Sequence, residues 1–203
     1  MNKTTKTNLK LGKLLFFILS MLFSINTYAQ IPVFNTPTLL SGTDKAIGAK
    51  YIYTNVTTVD GTSVDAIVTI ADIVNATIKD VDNSWNGGGI LLSRFQPVIS
   101  STVNGGYVQF TFEFYVAGTY GTAQQVQINL SSFEIEVIDL DGGEFFDVAI
   151  PAGGSYALET PTFIAVSSNS PYTRFQGPTY QVHPISITNT AYIASVSFGS
   201  LQS

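Results

Sequence analysis

The clearest pattern in the chain is a strict alternation of apolar and polar side chains over residues 107–116. Successive side chains of a β-strand point to opposite faces, so this alternation predicts a long strand with one buried face and one exposed face. The predicted buried face consists of Val108, Phe110, Phe112, Phe114 and Val116. The predicted exposed face consists of Tyr107, Gln109, Thr111, Glu113 and Tyr115.

Shorter segments of the same kind recur along the chain, and turn residues separate them about every ten positions. Asp60-Gly61 lies between two such segments and predicts a β-hairpin. No amphipathic helix is evident after residue 30, so the sequence predicts an all-β fold, an antiparallel β-sandwich of the jelly-roll kind. Residues 151–190 are rich in proline and glycine and predict long loops with short strands. The predicted strands lie within 51–56, 64–70, 71–78, 90–100, 107–116, 126–130, 133–137, 144–150, 162–166 and 191–198.

The first 29 residues have the pattern of a cleavable signal peptide. Four lysines precede an apolar run at residues 14–23, and Thr27 and Ala29 supply the small residues expected before a cleavage site. The apolar run is shorter than the ~20 residues that a membrane-spanning helix needs. We therefore predict a signal peptide at 1–29, a single β-sandwich domain at 30–203 and no membrane span after cleavage. The predicted location is extracellular, either secreted or at the cell surface.

Charge and composition exclude several classes of function. The chain of 203 residues has nine Lys+Arg, fourteen Asp+Glu, one histidine and no cysteine. Removing residues 1–29 leaves five basic and fourteen acidic residues, a net charge of −9. A protein this acidic has no basic stripe for nucleic acid. The absence of cysteine excludes disulfide scaffolds and thiol enzymes, and in an exported protein it is more typical of bacteria.

Several short segments form a recognisable set: Gly48-Ala49-Lys50-Tyr51, Asn55-Val56, Val64–Ile70, Phe95-Gln96-Pro97-Val98-Ile99, Gly106–Phe110 and Ile138-Asp139-Leu140-Asp141-Gly142. Together they resemble an all-β module found near the N-terminus of large, secreted, adhesin-like bacterial surface proteins. The similarity extends over about residues 45–150. It implies an extracellular location and a binding or structural role, and it brings no catalytic residues.

Two acidic turns are candidate calcium ligands. Asp139 and Asp141 alternate ahead of Gly142-Gly143, and Glu144 follows, which is how oxygen-rich loops surround calcium. Asp80 and Asp82 form a second acidic turn that could complete the coordination. The spacing is not that of an EF-hand, because the glutamate at the twelfth position is missing. The alternative interpretation is an Asp-Gly turn between two strands that binds no metal.

Aromatic and acidic side chains suggest two further sites. Tyr107, Tyr115 and Trp85 could stack on sugar rings, although a β-sandwich also exposes some tyrosines and buries its tryptophan without any ligand. Glu134 and Glu136 share one strand face, and Glu113 is expected on the same exposed sheet face. Such carboxylates could serve a glycoside hydrolase, but solvated polar strand faces explain them more simply. We therefore assign no catalytic residues.

The function predicted from sequence is that of a secreted or cell-surface adhesion or structural module, stabilised by calcium. The alternative is a carbohydrate-binding module, and the third choice is a small glycan hydrolase. The expected partner is an extracellular glycan or a surface protein. Surface aromatic rings on one sheet face would favour the carbohydrate-binding module, and a flat polar surface would favour the adhesion module.

Cleavage after Ala29 is directly testable. Exported protein should begin at Gln30, because Thr27 and Ala29 satisfy the small-residue requirement of the signal peptidase. N-terminal mass spectrometry of secreted material measures this, and an intact chain beginning at Met1 would contradict it.

Overall fold

A computed structural model describes residues 32–82, 94–130, 133–137, 140, 142–150, 152–179 and 190–198. These residues form β-strands, loops and a single 3₁₀ turn at Thr190–Tyr192. The predicted signal peptide lies outside the described residues. The strands are β1 (Thr38–Ser41), β2 (Lys50–Val59), β3 (Thr62–Val74), β4 (Ala76–Asp80), β5 (Val98–Ser101), β6 (Tyr107–Val116), β7 (Phe133–Val137), β8 (Phe145–Val148), β9 (Ser155–Leu158), β10 (Ala165–Asn169), β11 (Tyr172–Gln176) and β12 (Ala194–Phe198).

All strand pairs in the described part of the chain are antiparallel. One sheet has the order β1-β2-β3-β6, and β4 and β5 pair with each other beside it. Two three-stranded sheets follow, with the orders β10-β11-β8 and β7-β12-β9. The predicted all-β, antiparallel fold is confirmed. The prediction that residues 30–203 form a single domain remains a prediction.

The β2–β3 hairpin forms where the sequence predicts it. Val59 pairs with Thr62 across a two-residue turn at Asp60-Gly61. Both turn residues have positive φ, 47° for Asp60 and 78° for Gly61. This turn geometry matches the right-handed twist of the flanking strands, and aspartate and glycine are among the few residues that adopt it readily.

The inner face of the four-stranded sheet covers the first apolar cluster. Strand β6 pairs with β3 along its whole length, so Phe112 lies opposite Val68 and Phe114 opposite Ala66. The apolar row of β6 therefore lies on the same face as a buried row of β3. Phe114 is buried as predicted, and Val108, Phe110 and Phe112 are partly buried against the same cluster. Segments outside the sheet complete the cluster, and the contributing residues include Phe34, Ile78, Val81, Phe95, Ile128 and Leu130.

A second apolar cluster lies between the two three-stranded sheets. Phe175 of β11 and Val196 of β12 are fully buried within it, and Tyr156 of β9 packs edge-on against Phe175 at 5.3 Å between ring centroids. Strand β12 is the central strand of its sheet, between β7 and β9. The region 155–176 consists of short strands separated by loops, which confirms the looser structure predicted there.

A buried carboxylate fixes one end of the four-stranded sheet. Asp65 of β3 is 2% exposed and accepts hydrogen bonds from two backbone N–H groups, those of Asn55 and Gly118, each at 2.8 Å. Asn55 has a φ of 54° and lies where the β2–β3 register shifts. Gly118 has a φ of 74° in the turn that follows β6. One side chain therefore holds both a bulge in β2 and the exit of β6.

The register of β6 predicts unequal effects of mutation on its two faces. Phe114→Ala should lower the free energy of unfolding by about 3–5 kcal/mol, because Phe114 is 9% exposed and its removal leaves a cavity. Gln109→Ala, on the exposed face, should change it by no more than about 0.5 kcal/mol. Denaturant unfolding measures both, and equal losses would contradict the register.

Candidate functional site

The face of the four-stranded sheet opposite the first cluster, called here the outer face, carries a row of polar side chains. On β3 and β6, Thr69 lies opposite Thr111 and Ile67 opposite Glu113. On β2, Lys50 lies beside Thr69. Gln109 and Thr111 are exposed, whereas Ile67 is fully buried. The outer face is therefore polar and exposed toward the middle of β6 and more enclosed near Ile67.

A lysine, two tyrosines and a glutamate are grouped at this enclosed part of the outer face. The Lys50 ammonium donates a 3.0 Å hydrogen bond to the Tyr120 hydroxyl. The Tyr120 ring meets the Tyr115 ring edge-on at 4.8 Å between centroids. The Tyr115 hydroxyl donates to the Glu113 carboxylate at 3.1 Å. The hydrogen bond to Tyr120 raises the pKa of Lys50, so the lysine stays charged.

The turn after β6 places Tyr120 on the outer face. Gly118 is bound to Asp65, and the Thr119 hydroxyl closes the turn by donating to the Val116 carbonyl at 2.8 Å. The chain then returns along β6, where the Ile128 N–H donates to the Phe114 carbonyl at 2.8 Å. Sequence reasoning did not identify Tyr120, because the contact between Gly118 and Asp65 joins residues 53 positions apart.

The two predicted stacking residues that the structure describes, Tyr107 and Tyr115, have different environments. The sequence predicted Tyr115 to be exposed, but it is 4% exposed because Tyr120 packs against its ring. Tyr107 is 37% exposed, and its hydroxyl donates to the Asp72 carboxylate at 3.2 Å. Trp85 lies outside the described residues. Tyr107 and Tyr115 are at opposite ends of β6, so they do not form one contiguous aromatic surface.

Two of the predicted metal ligands lie together at the end of β4. The Asp82 N–H donates weakly to an Asp80 carboxylate oxygen at 3.4 Å, and Asp82 Oδ1 accepts a 3.0 Å hydrogen bond from the Gln96 N–H. Burial raises the pKa of Asp82 to about 6, and the neighbouring Asp80 charge adds to this effect. The Gln96 N–H and the nearby Tyr53 hydroxyl act in the opposite direction, because both stabilise the charged form.

The other predicted metal ligands are in a different part of the chain. Glu144 is exposed beside β8, and its backbone carbonyl accepts a hydrogen bond from the Gly177 N–H at 2.9 Å. Gly142 and Gly143 have positive φ, as expected of the predicted turn. Asp139 and Asp141 lie outside the described residues. Among the residues that are described, no group of three or more His, Asp or Glu side chains is arranged to hold a metal ion.

The three acidic residues considered for glycoside hydrolysis do not all lie on one sheet. Glu113 is on β6 of the four-stranded sheet, whereas Glu134 and Glu136 are on β7, which pairs with β12. The expectation that Glu113 lies on the same face as the other two is therefore wrong. The two arginines of the chain each pair with a carboxylate: Arg94 with Glu136 at 3.8 Å, and Arg174 with Asp147 through two hydrogen bonds of 2.6 and 2.7 Å.

Comparison of the chain with protein-family models, with curated protein sequences and with solved structures gives no match. Over the described residues, no helix has the length and apolar character needed to cross a membrane.

The raised pKa of Asp82 predicts that stability depends on pH. Between about pH 4 and pH 6 the folded protein retains a proton on Asp82 that the unfolded chain has lost, so stability falls as pH rises through this range. Asp82→Asn removes this dependence and should stabilise the protein at pH 7.5 relative to wild type, because no charge is then buried. The asparagine oxygen can still accept the Gln96 hydrogen bond.

Urea unfolding in calcium-free buffer at pH 4.5, 6 and 7.5 tests this. Asp60→Asn is the matched control, because Asp60 is exposed in the hairpin turn. The same pH profile for Asp82→Asn and wild type would show that Asp82 does not titrate in this range.

Proposed function

We propose that this protein is a secreted or cell-surface module with an adhesive or structural role, and that the outer face of its four-stranded sheet is the contact surface. The observation that supports this most directly is the polar row on β3 and β6. Thr69, Gln109 and Thr111 present side chains that donate and accept hydrogen bonds on a regular sheet. An exposed polar row of this kind suits contact with another extended surface.

The chemistry of the outer face favours a partner that is uncharged overall and rich in hydrogen-bonding groups. Asp72 and Glu113 each accept a hydrogen bond from a tyrosine hydroxyl, and Lys50 is bound to Tyr120. The charged groups of this face are thus already engaged with neutral partners. A protein with a predicted mature charge of −9 is repelled by anionic surfaces, so a neutral glycan or a protein surface is the expected partner.

The group formed by Lys50, Tyr120, Tyr115 and Glu113 supports carbohydrate binding as a second candidate function. Sugars present apolar ring faces that pack on aromatic planes and hydroxyls that pair with charged groups. Tyr120 is partly exposed, and the Lys50 ammonium lies 3.0 Å from its hydroxyl. The Glu113 carboxylate of the same group accepts a hydrogen bond from Tyr115. In this second candidate function, Tyr120 takes the sugar-stacking role that the sequence predicted for Tyr115.

Substitutions on the outer face test both functions in one experiment. Beads coated with the mature protein are incubated with a glycan array and with surfaces coated with extracellular protein, with and without calcium. Thr111→Glu should reduce the number of beads retained on the surface at least about tenfold, because it places a charge inside the contact. Tyr120→Ala should reduce retention on glycans to a similar extent only if carbohydrate is the ligand.

Ser100→Glu is the matched control, since Ser100 is exposed on β5, away from the outer face. Circular dichroism confirms that each variant is folded. Equal retention of Thr111→Glu and wild type on every surface would contradict the assignment of the outer face. Retention on glycans that survives Tyr120→Ala would exclude the second candidate.

A further inference from the structure

Residues 32–41, called here the edge segment, lie along the open edge of the four-stranded sheet. The Val33 N–H donates to the Val56 carbonyl at 2.7 Å, and β1 continues the same antiparallel path, with Thr38 opposite Ile52. Strand β1 is the last strand of its sheet, and all four of its residues are exposed. The edge segment is therefore paired with the sheet along one side only, the side of β2.

One aromatic side chain anchors the edge segment in the first cluster. Phe34 is 7% exposed, and its ring centroid lies 5.1 Å from that of Tyr53. The rings of Phe95 and Phe112 are each 5.9 Å from it. The edge of β2 and the pocket around Phe34 thus form a groove. This groove accepts an extended strand that carries one buried phenylalanine, which is how strand addition to an open sheet edge obtains both affinity and specificity.

A glycine joins the edge segment to the loop that leads into β2. Gly42 has a φ of 85°, and a Cβ atom at this position would lie 2.8 Å from the Ala49 Cα. The loop after Gly42 is fixed separately, because the Lys45 N–H donates to the Tyr51 hydroxyl at 2.7 Å and that hydroxyl donates to Asp44. Gly42 is therefore the hinge at which the edge segment can turn away while the loop keeps its place.

We propose that the edge segment is exchanged between two copies of the protein, so that each segment fills the β2 groove of the other copy. Every copy carries the same segment and the same groove, and an exchanged pair therefore makes the contacts of the closed monomer in a symmetric dimer. The edge segment contains no charged residue. It crosses between two copies, each with a predicted mature charge of −9, without adding to their repulsion.

The balance between the closed monomer and the exchanged dimer depends on protein concentration. A segment on a short tether competes for its own groove at an effective concentration in the millimolar range. The dimer is therefore a minor species in dilute solution and becomes substantial when the protein itself is crowded. The inference does not depend on the proposed adhesive function.

Cysteine cross-linking tests the exchange, since the chain has no cysteine of its own. Thr38→Cys and Ile52→Cys are made as two separate mature proteins of different mass. The two positions lie opposite each other, so a disulfide joins the two proteins readily when the segment of one lies in the groove of the other. At about 1 mM protein in a glutathione buffer, this mixed dimer should be at least about tenfold more abundant than that of Thr38→Cys with Ser100→Cys. Ser100 is exposed on β5, away from the groove.

Gly42→Ala tests the hinge without changing the segment or the groove. Alanine at this φ, with its Cβ against Ala49, strains the closed connection, whereas an open connection can adopt an extended conformation. The variant should raise the dimerisation constant about tenfold, as measured by analytical ultracentrifugation. Gly61→Ala is the matched control, because Gly61 also has a positive φ of 78° but lies in the β2–β3 turn. It should leave dimerisation unchanged.

A double variant, Thr38→Cys with Ile52→Cys in one chain, locks the edge segment in its own groove when oxidised. It should remain monomeric at concentrations at which wild type dimerises. The proposal is overturned if the mixed dimer is no more abundant than the control with Ser100→Cys, or if Gly42→Ala, shown to be folded by circular dichroism, dimerises like wild type. It is equally overturned if the oxidised double variant dimerises like wild type, since the copies would then associate through another surface.

Discussion

The four-stranded sheet depends on one buried negative charge. Asp65 is almost completely removed from solvent, and an unpaired carboxylate in such a place would be strongly destabilising. Its two oxygens instead accept the N–H groups of Asn55 and Gly118. These are backbone groups at an irregular point of β2 and at the turn after β6, where the regular ladder leaves donors without partners. The carboxylate therefore supplies the acceptors that the irregular backbone lacks, and the backbone supplies the donors that the buried carboxylate requires.

The consequences of this interaction reach the outer face. By fixing Gly118, Asp65 determines where the chain turns after β6, and hence where Tyr120 lies. Tyr120 in turn covers Tyr115 and accepts the hydrogen bond from Lys50. The group formed by Lys50, Tyr120, Tyr115 and Glu113 thus depends on a residue that is itself almost completely buried. Asp65→Ala should accordingly disturb that surface as well as the stability of the sheet.

The sequence predicts those parts of the fold that depend on local patterns. The alternation over residues 107–116 and the Asp60-Gly61 turn identify β6 and the β2–β3 hairpin, because period and turn chemistry are properties of neighbouring residues. Strand β11 is not predicted, since Tyr172–Gln176 mixes polar and apolar residues without a clear period. The candidate sites are predicted less well. The burial of Tyr115 and the position of Tyr120 both require contacts between residues distant in sequence.

The order of strands in the sheet β7-β12-β9 has a consequence for how the protein folds. Strand β12 is the central strand, yet it follows both of its neighbours in the chain, and Val137 pairs with Ala194 across an interval of more than fifty residues. Neither β7 nor β9 can form its sheet until β12 has been synthesised. Closing such long intervals is slow, because chain entropy is lost before the contacts that compensate for it are made. The β2–β3 hairpin closes over two residues and can form early. During synthesis, the four-stranded sheet in the first half of the chain can therefore form before β12, the central strand of the sheet β7-β12-β9, has been made.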